Sequence, residues 1–245
     1  MKKNWDRSES WYSGCVGEKG HYYHQTVVLP KLVPLLGKMT SLLDLGCGQG
    51  VLARHLAKEI EYVGIDNSKA LINEANRLSK GMFLVSDATK PLELKKRDFD
   101  CATFVLSLQN MEDGKGAIQV ASDHLKVKGK LVIVLNHPCF RIPRQSDWGI
   151  DENKKEQFRK ISRYMSPLEI PIQTNPSKGG ESETTFSYHH PLGDYFSWLW
   201  HGGFVVDRVE EWCSDKKSEG KQAKMEDRAR KEIPLFMAIR AVKEK

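Results

Sequence analysis

Short apolar runs alternate with helical patterns through the middle of the chain. The apolar runs at 41–45, 62–66, 82–85, 99–106 and 131–135 predict five strands. Between them, residues 51–59, 68–78 and 114–124 carry apolar positions at helical spacing. Strands that alternate with helices form βαβ units, so this stretch predicts a parallel sheet with helices packed on it.

The alternation of strands and helices ends after the fifth strand. Residues 139–190 contain several prolines, a polar helix-like piece over 153–164 and a loop-like run at 174–180. These roughly fifty residues hold few aliphatic side chains, so we interpret them as an insertion within one domain that spans 1–245. A helix over 192–200, a strand over 204–212, a charged connection and a last strand over 234–240 follow.

The first 36 residues are rich in aromatic side chains and lie before the first strand. We interpret residues 1–36 as a cap or lid of helices and loops outside the sheet. The alternative is an aromatic segment that only packs on the sheet edge.

Composition narrows the class of protein. Hydrophobic residues make up 40% and charged residues 29% of the 245 residues, as in an ordinary globular protein. No apolar run approaches the length of a membrane span, and no apolar stretch follows the basic start as in a secretory signal. Cysteines are scattered and never spaced Cys-x-x-Cys, which favours a reducing compartment over disulfides or zinc: Cys15, Cys47, Cys101, Cys139 and Cys213. We expect a cytoplasmic protein without a metal.

The net charge of +6 is spread along the chain. Residues 1–43 hold six Lys and Arg against three Asp and Glu, and residues 139–190 hold eight against seven. Neither segment forms a basic stripe of the kind that binds nucleic acid, so a mildly basic solvated surface is the favoured interpretation.

Three glycines follow the first predicted strand directly, in the run Asp44-Leu45-Gly46-Cys47-Gly48-Gln49-Gly50. Such a turn lets the backbone approach a ligand closely. The spacing Gly-x-Gly-x-Gly differs from the Gly-x-Gly-x-x-Gly of dinucleotide sites, so NAD remains an alternative on fold analogy alone. A phosphate-binding loop is excluded because no Gly-Lys-Ser/Thr follows.

Acidic residues end the next two strands at regular intervals. Asp66 lies 22 residues after Asp44, and Asp87 lies 21 residues after Asp66. Together with the glycine turn, with Phe99-Asp100 and with residues 125–131, this arrangement resembles the motifs of the class I S-adenosylmethionine-dependent methyltransferases, small-molecule type. The resemblance covers residues 41–135.

The resemblance implies a fold and a cofactor. The expected fold is α/β: a Rossmann-like, doubly wound, mostly parallel seven-stranded sheet with helices on both faces and an antiparallel last strand. The expected cofactor is S-adenosyl-L-methionine, with S-adenosyl-L-homocysteine as the product. Nine residues are implied as cofactor contacts: Asp44, Gly46, Cys47, Gly48, Asp66, Asn67, Asp87, Ala88 and Leu106.

Individual roles follow from relatives. Asp66 would accept the ribose hydroxyls, Asp87 and the backbone of Ala88 would hold the adenine edge, and the glycine turn would pass under the methionine portion. The alternative for each acidic residue is a strand-end turn or a helix cap. For Cys47 the alternative is a small buried residue.

Acceptor residues are sought beyond the carboxyl ends of the strands, where ligands bind in open α/β sheets. His137, after the fifth strand, is the candidate proton acceptor, and the alternative is a histidine that ties the insertion to the sheet. Further substrate contacts are expected from the cap, from the end of the fourth strand and from the insertion: Tyr12, Tyr22, Tyr23, His24, Asn110 and Tyr188. The adjacent His189 and His190 lack a third ligand, so no metal is assigned.

The absence of one sequence motif narrows the class of methyl acceptor. Residues 104–111 lack the Asn/Asp-Pro-Pro-aromatic sequence that amino-group methylases of nucleic acids carry after the fourth strand. A small molecule is therefore the favoured acceptor, with O, N or C chemistry open, in a monomer or homodimer without nucleic-acid partners. The alternatives are an RNA or protein methyltransferase and a non-catalytic subunit that binds the cofactor or only a partner protein.

Overall fold

The computed structural model describes Gly17, residues 20–173 and residues 184–245. Within these ranges eleven strands occur in chain order: β1 Ser41–Leu45, β2 Glu61–Asp66, β3 Met82–Val85, β4 Phe99–Val105, β5 Leu125–Asn136, β6 Ser146–Asp151, β7 Glu156–Ile161, β8 Leu168–Gln173, β9 Thr184–His189, β10 Phe204–Trp212 and β11 Phe236–Lys243. Five α-helices occur in the same ranges: α1 Leu29–Leu36, α2 Lys69–Leu78, α3 Gly114–His124, α4 Leu192–His201 and α5 Ala223–Glu232.

Seven of these strands form the central sheet, in the order β10-β11-β5-β4-β1-β2-β3. Strands β1 to β5 pair in parallel. The last strand, β11, is antiparallel to both β5 and β10. The predicted Rossmann-like sheet with an antiparallel last strand is therefore confirmed.

Helices cover both faces of the sheet because successive strand residues point to opposite sides. On one face Leu43 and Leu45 of β1 pack in a core with α3 and α4. On the other face Leu42 packs in a core with α1 and α2. The strands are thus buried on both sides, as the nearly continuous apolar run in β5 predicts.

The helix predicted over 51–59 is wrong. The structure has turns there, with a short 3₁₀ helix at Ala53–His55. The His55 ring bonds the Val51 carbonyl at 2.9 Å, and the His55 N–H donates to Leu52 instead. Since side chains take the carbonyls that an α-helix needs, the apolar spacing of Leu52 and Leu56 does not produce one.

The helix-like piece predicted over 153–164 is also wrong, because β6 and β7 form an antiparallel hairpin there. The Arg159 guanidinium lies 5.0 Å from the Trp148 ring centroid and donates to the Phe140 carbonyl. These contacts across the hairpin outweigh the helix propensity of the charged run.

Three smaller differences concern the limits of elements. The charged connection before β11 contains α5, β11 extends to Lys243, and β5 begins at Leu125. Strand β5 is irregular near Lys128, which has a φ of 67°. Among the described residues no helix is long and apolar enough to span a membrane.

Candidate functional site

A cavity of about 380 Å³ opens at the carboxyl ends of the parallel strands. Its lining combines residues that follow β1 to β5 with residues of the insertion and one from the N-terminal segment: His24, Gly46, Gly48, Asp66, Asn67, Leu71, Asp87, Ala88, Val105, Leu106, Ser107, Gln109, Asn110, Met111, Asn136, Pro143, Ile172, Thr185 and Ser187. The position is where ligands bind in open α/β sheets.

The glycine turn is held tightly against its neighbours. Gly46 and Cys47 donate their N–H groups to the Ile65 carbonyl at 2.7 and 3.0 Å. Gly46 has a φ of 76°, and a Cβ there would lie 2.4 Å from the Ser107 Cβ. Only glycine combines this backbone conformation with so close an approach to the end of β4.

Asp66 stands at the end of β2 and lines the cavity. One carboxylate oxygen accepts the Gly48 N–H at 2.9 Å, and the other accepts the Ser68 N–H at 2.9 Å. The side chain therefore braces the glycine turn and the start of α2 while it faces the cavity.

Asp87 lies two residues beyond β3 and is exposed at the cavity. Its Oδ1 accepts the N–H and the hydroxyl of Thr89 at 2.9 and 2.7 Å. Asn67 and buried Ala88 also line this part of the cavity. Three of the predicted cofactor contacts therefore come together beside Asp66.

Asp44 and Cys47 lie beneath the turn and do not line the cavity in the described structure. Asp44 accepts hydrogen bonds from the Tyr62 hydroxyl at 2.5 Å and the Thr103 hydroxyl at 2.8 Å. Burial raises the pKa of Asp44 to about 6, although the two hydroxyl hydrogen bonds act to lower it. Burial also raises the pKa of the Cys47 thiol, which indicates a small buried residue rather than a nucleophile.

Leu106, directly after β4, lines the cavity with a strained φ of 56°. Its N–H donates to Val134 at 2.9 Å, and the next residue, Ser107, donates its hydroxyl to the Leu45 carbonyl at 2.7 Å. Such strain concentrates where the surrounding structure fixes a functional turn. The positive φ of Leu106 therefore turns the chain where this residue lines the cavity.

The far wall is built from β4, β5 and the insertion. Gln109 and Asn110 follow β4 in a short 3₁₀ helix, Leu108–Asn110, and Asn136 ends β5. The insertion adds Pro143, Ile172, Thr185 and Ser187. Of the predicted substrate contacts, Asn110 lies on this wall. Position after a strand end predicts which residues of β4 and β5 form this wall. No feature of the sequence indicates which residues the insertion contributes to it.

His24 lines the same cavity from the helical segment before α1. Its Nδ1 is buried without a hydrogen-bond partner among the described residues. Burial, helped by the nearby His21 and His55, lowers the pKa of His24 to about 4, so the ring is neutral at physiological pH.

His137, the predicted proton acceptor, does not reach the cavity in the described structure. It is 1% exposed, its Nε2 bonds Glu211 at 2.7 Å, and its Nδ1 accepts the Cys139 N–H at 3.2 Å. Both ring nitrogens thus join the start of the insertion to β10. These contacts match the alternative interpretation, a histidine that ties the insertion to the sheet, and they leave the role of His137 as a proton acceptor a prediction.

The predicted aromatic contacts lie elsewhere. Tyr22 donates to Asp215 at 3.1 Å, Tyr23 bonds Ser214 at 3.0 Å, and Lys216 stacks over both rings. They hold the connection after β10 rather than line the cavity. Tyr188 is buried beside the lining residue Ser187, and Tyr12 lies outside the described residues.

The lining has a distinct charge pattern. Asp66 and Asp87 carry its only carboxylates, and no Lys or Arg contributes among the described residues. The described parts of the chain also contain no group of three or more His, Cys, Asp or Glu side chains that could hold a metal ion. The cavity therefore has an acidic end and an uncharged end.

Comparisons with known proteins agree with this geometry. A family model described as a methyltransferase domain matches residues 43–133. A demethylmenaquinone methyltransferase from Thermotoga maritima is 36% identical over 97 residues, which cover 38% of this chain and 42% of that protein. The chain thus aligns with less than half the length of this curated relative.

Solved structures match over most of the chain. An S-adenosylmethionine-dependent methyltransferase from Mesorhizobium loti has 25% identity and a TM-score of 0.67, covering 87% of this chain and 96% of that one. A Listeria monocytogenes protein described as a candidate for the same class has 23% identity and a TM-score of 0.66, covering 89% and 96%. The second likeness concerns the fold alone.

The sheet order, with the glycine turn and the acidic strand ends at one edge, defines a Rossmann-like domain. Residues 43–133 match a methyltransferase domain, and the fold is that of the S-adenosylmethionine-dependent methyltransferase from Mesorhizobium loti.

Proposed function

We propose that this protein transfers a methyl group from S-adenosylmethionine to a small molecule, with donor and acceptor bound in the one cavity. The observation that carries the proposal is the two-part lining. Acidic strand ends and the glycine turn form one end, and uncharged residues of β4, β5 and the insertion form the other. The volume of about 380 Å³ is in the range of small-molecule sites.

The acidic end fits the cofactor. The Asp66 carboxylate faces the cavity with an orientation fixed by two backbone N–H donors, which suits the acceptance of ribose hydroxyls. Leu71, Ala88 and Leu106 supply apolar surface for an adenine ring, and Asp87 stands at the exposed edge where an exocyclic amine can donate. Bound S-adenosylmethionine supplies the electrophilic methyl group.

At the uncharged end the protein positions the acceptor and excludes water. Alignment of two reactants in a closed site contributes roughly 7–11 kcal/mol to lowering a barrier. His24 is the lining imidazole, and because burial keeps it neutral it can accept a hydrogen bond from an O–H or N–H group of the acceptor.

The acceptor class rests on cavity shape and charge. The Thermotoga maritima relative is named for demethylmenaquinone as its substrate, which supports a small-molecule acceptor here. RNA is disfavoured because the described lining lacks the basic side chains that hold phosphates.

Calorimetric titration with S-adenosylhomocysteine tests the proposal first. We expect saturable one-to-one binding, and a chain that does not bind it is no methyltransferase. Methyl transfer from labelled S-adenosylmethionine is then measured with extracted small metabolites and, separately, with RNA and protein fractions. Label in RNA or protein only, with a steep salt dependence for RNA, would overturn the small-molecule acceptor. Binding without transfer to any fraction would favour the non-catalytic subunit.

A further inference from the structure

Gln109 carries a buried amide oxygen without a hydrogen-bond partner among the described residues. The residue is 8% exposed and lines the uncharged end of the cavity. Its Oε1 is buried and has no hydrogen-bond partner among the described residues. The backbone of the same residue is fixed, since the Ser187 hydroxyl of β9 donates to its carbonyl at 3.5 Å.

This arrangement costs stability in the free protein. A buried amide oxygen without a partner loses its hydrogen bonds to water and gains none in exchange, so folded proteins keep few of them. The turn around Gln109 is otherwise well bonded, because Asn110 donates to Ser107 at 2.8 Å and Met111 donates to Leu108 at 3.1 Å. The unsatisfied oxygen is therefore an isolated feature of a residue that lines the cavity.

The neighbouring lining restricts the chemistry of the ligand. Asn110, Asn136, Thr185 and Ser187 are uncharged, and Met111, Pro143 and Ile172 are apolar. The Asn136 Oδ1 already accepts the Arg141 guanidinium at 2.6 Å. An anionic acceptor would find no lining cation among the described residues, whereas a neutral ring would pack on the apolar side chains.

We infer that Gln109 is the specificity-determining contact for the methyl acceptor, and that the acceptor is a neutral ring with an N–H or O–H donor beside a carbonyl-type oxygen. Such an edge pairs with a carboxamide through two hydrogen bonds, in which Oε1 accepts from the ligand and Nε2 donates to it. This inference rests on the proposed function, because it places the group in the acceptor half of that site.

A lactam supplies the required edge, so 2-quinolone is the probe and N-methyl-2-quinolone its donor-less analogue. Each is titrated by calorimetry into protein saturated with S-adenosylhomocysteine. We expect the wild type to prefer 2-quinolone by about tenfold or more. Gln109→Leu should bind both with similar affinity. The control Gln119→Leu removes an exposed amide from α3 and should keep the preference.

The variant comparison also separates size from bonding. The added methyl group makes the analogue larger, so the decisive result is the loss of preference in Gln109→Leu rather than the preference itself. Failure of 2-quinolone to bind the loaded wild type, or a preference that Gln109→Leu retains, overturns the inference. A weaker affinity of Gln109→Leu for S-adenosylhomocysteine would also overturn it, because Gln109 would then contact the cofactor.

Stability gives a readout that needs no acceptor. Leucine fills a similar volume without a polar group, so Gln109→Leu should raise the Tm of the free protein by about 2–4 °C. Gln119→Leu should not raise it. A lower Tm for Gln109→Leu would show that the amide is satisfied in the free protein and would contradict the inference. If the wild type fails to bind S-adenosylhomocysteine, the proposed function fails instead, while the Tm comparison still reports on Gln109.

Discussion

The carboxylate of Asp66 accepts the backbone N–H of Gly48 at 2.9 Å, which joins the end of β2 to the turn after β1. Its second oxygen accepts the Ser68 N–H at the start of α2. A residue that faces the cavity is thus also part of the frame of the cavity. Loss of its charge and loss of its bracing must therefore be tested separately.

Asp66→Ala is expected to weaken S-adenosylhomocysteine binding by about 100-fold or more, because hydrogen bonds to a charged group contribute about 1.5–3 kcal/mol each. Calorimetry measures the affinity, and circular dichroism checks the fold. Asp66→Asn retains an oxygen for the Gly48 N–H, so its affinity for S-adenosylhomocysteine should lie between those of the wild type and Asp66→Ala. The control Asp123→Ala removes an exposed carboxylate from α3 and should bind like the wild type. Unchanged affinity in Asp66→Ala would show that the ribose does not bind at Asp66.

Gly46→Ala is expected to destabilise the protein by roughly 2 kcal/mol or more, from the positive φ and the overlap with Ser107. Urea denaturation measures the loss. Gly193→Ala is the matched control, since a Cβ there meets nothing within 4 Å and the residue is helical. That variant should be neutral or stabilised by up to about 1 kcal/mol. Equal effects in the two variants would contradict the tight packing of the turn.

Asp44→Asn is expected to become more stable relative to the wild type as pH rises. The pKa of Asp44 is raised to about 6 in the folded state, above its unfolded value of 3.8, so the folded protein binds the extra proton between these values. The wild type therefore loses stability as pH rises from about 4 to about 6, by up to about 3 kcal/mol. Asparagine does not titrate and can still bond Tyr62 and Thr103.

Urea denaturation at pH 4 and pH 7 measures this difference between Asp44→Asn and the wild type. A difference that does not change with pH would contradict the raised pKa. S-adenosylhomocysteine affinity should be unaffected, since Asp44 does not line the cavity. A large loss of affinity would instead support the role as cofactor contact that the sequence predicts.

His24→Gln is expected to change stability in the opposite pH direction. The pKa of His24 falls to about 4 on folding, from 6.5, so the unfolded chain binds more protons between these values. The wild type gains stability as pH rises from about 4 to about 6.5, by at most roughly 3 kcal/mol. Glutamine does not titrate and should remove that gain, measured as the difference from the wild type by urea denaturation. A pH dependence of stability that is the same in His24→Gln and the wild type would show that the His24 ring is solvated in the folded protein.

The end of the cavity lined by the glycine turn, Asp66 and Asp87 could be predicted from the sequence because its signals are local. The glycine turn, Asp66 and Asp87 each follow a strand directly, and the parallel sheet brings successive strand ends to one edge. The resemblance to a methyltransferase family added the cofactor. What the local pattern did not reveal is that Asp44 faces Tyr62 and Thr103 rather than the cavity.

The acceptor half could not be predicted in the same way, because its contacts join distant parts of the chain. Ser187 of β9 meets Gln109, and His137 finds its partner in Glu211, 74 residues away. Position after a strand suggests that His137 faces the site, but the contact with β10 turns it away. The hairpin β6–β7 likewise depends on Arg159 crossing to Trp148, which no periodicity in 153–164 indicates.

The insertion begins after β5 and ends before α4, and both junctions are pinned. His137 holds the first to β10, and His190 bonds Asp194 of α4 at 3.1 Å at the second. The insertion thus behaves as an exchangeable module between fixed anchors. A chimaera that keeps His137 and His190 and replaces residues 139–189 should retain the donor chemistry of the scaffold and change the substrate preference that the insertion contributes, so new specificity can arise without rebuilding the sheet.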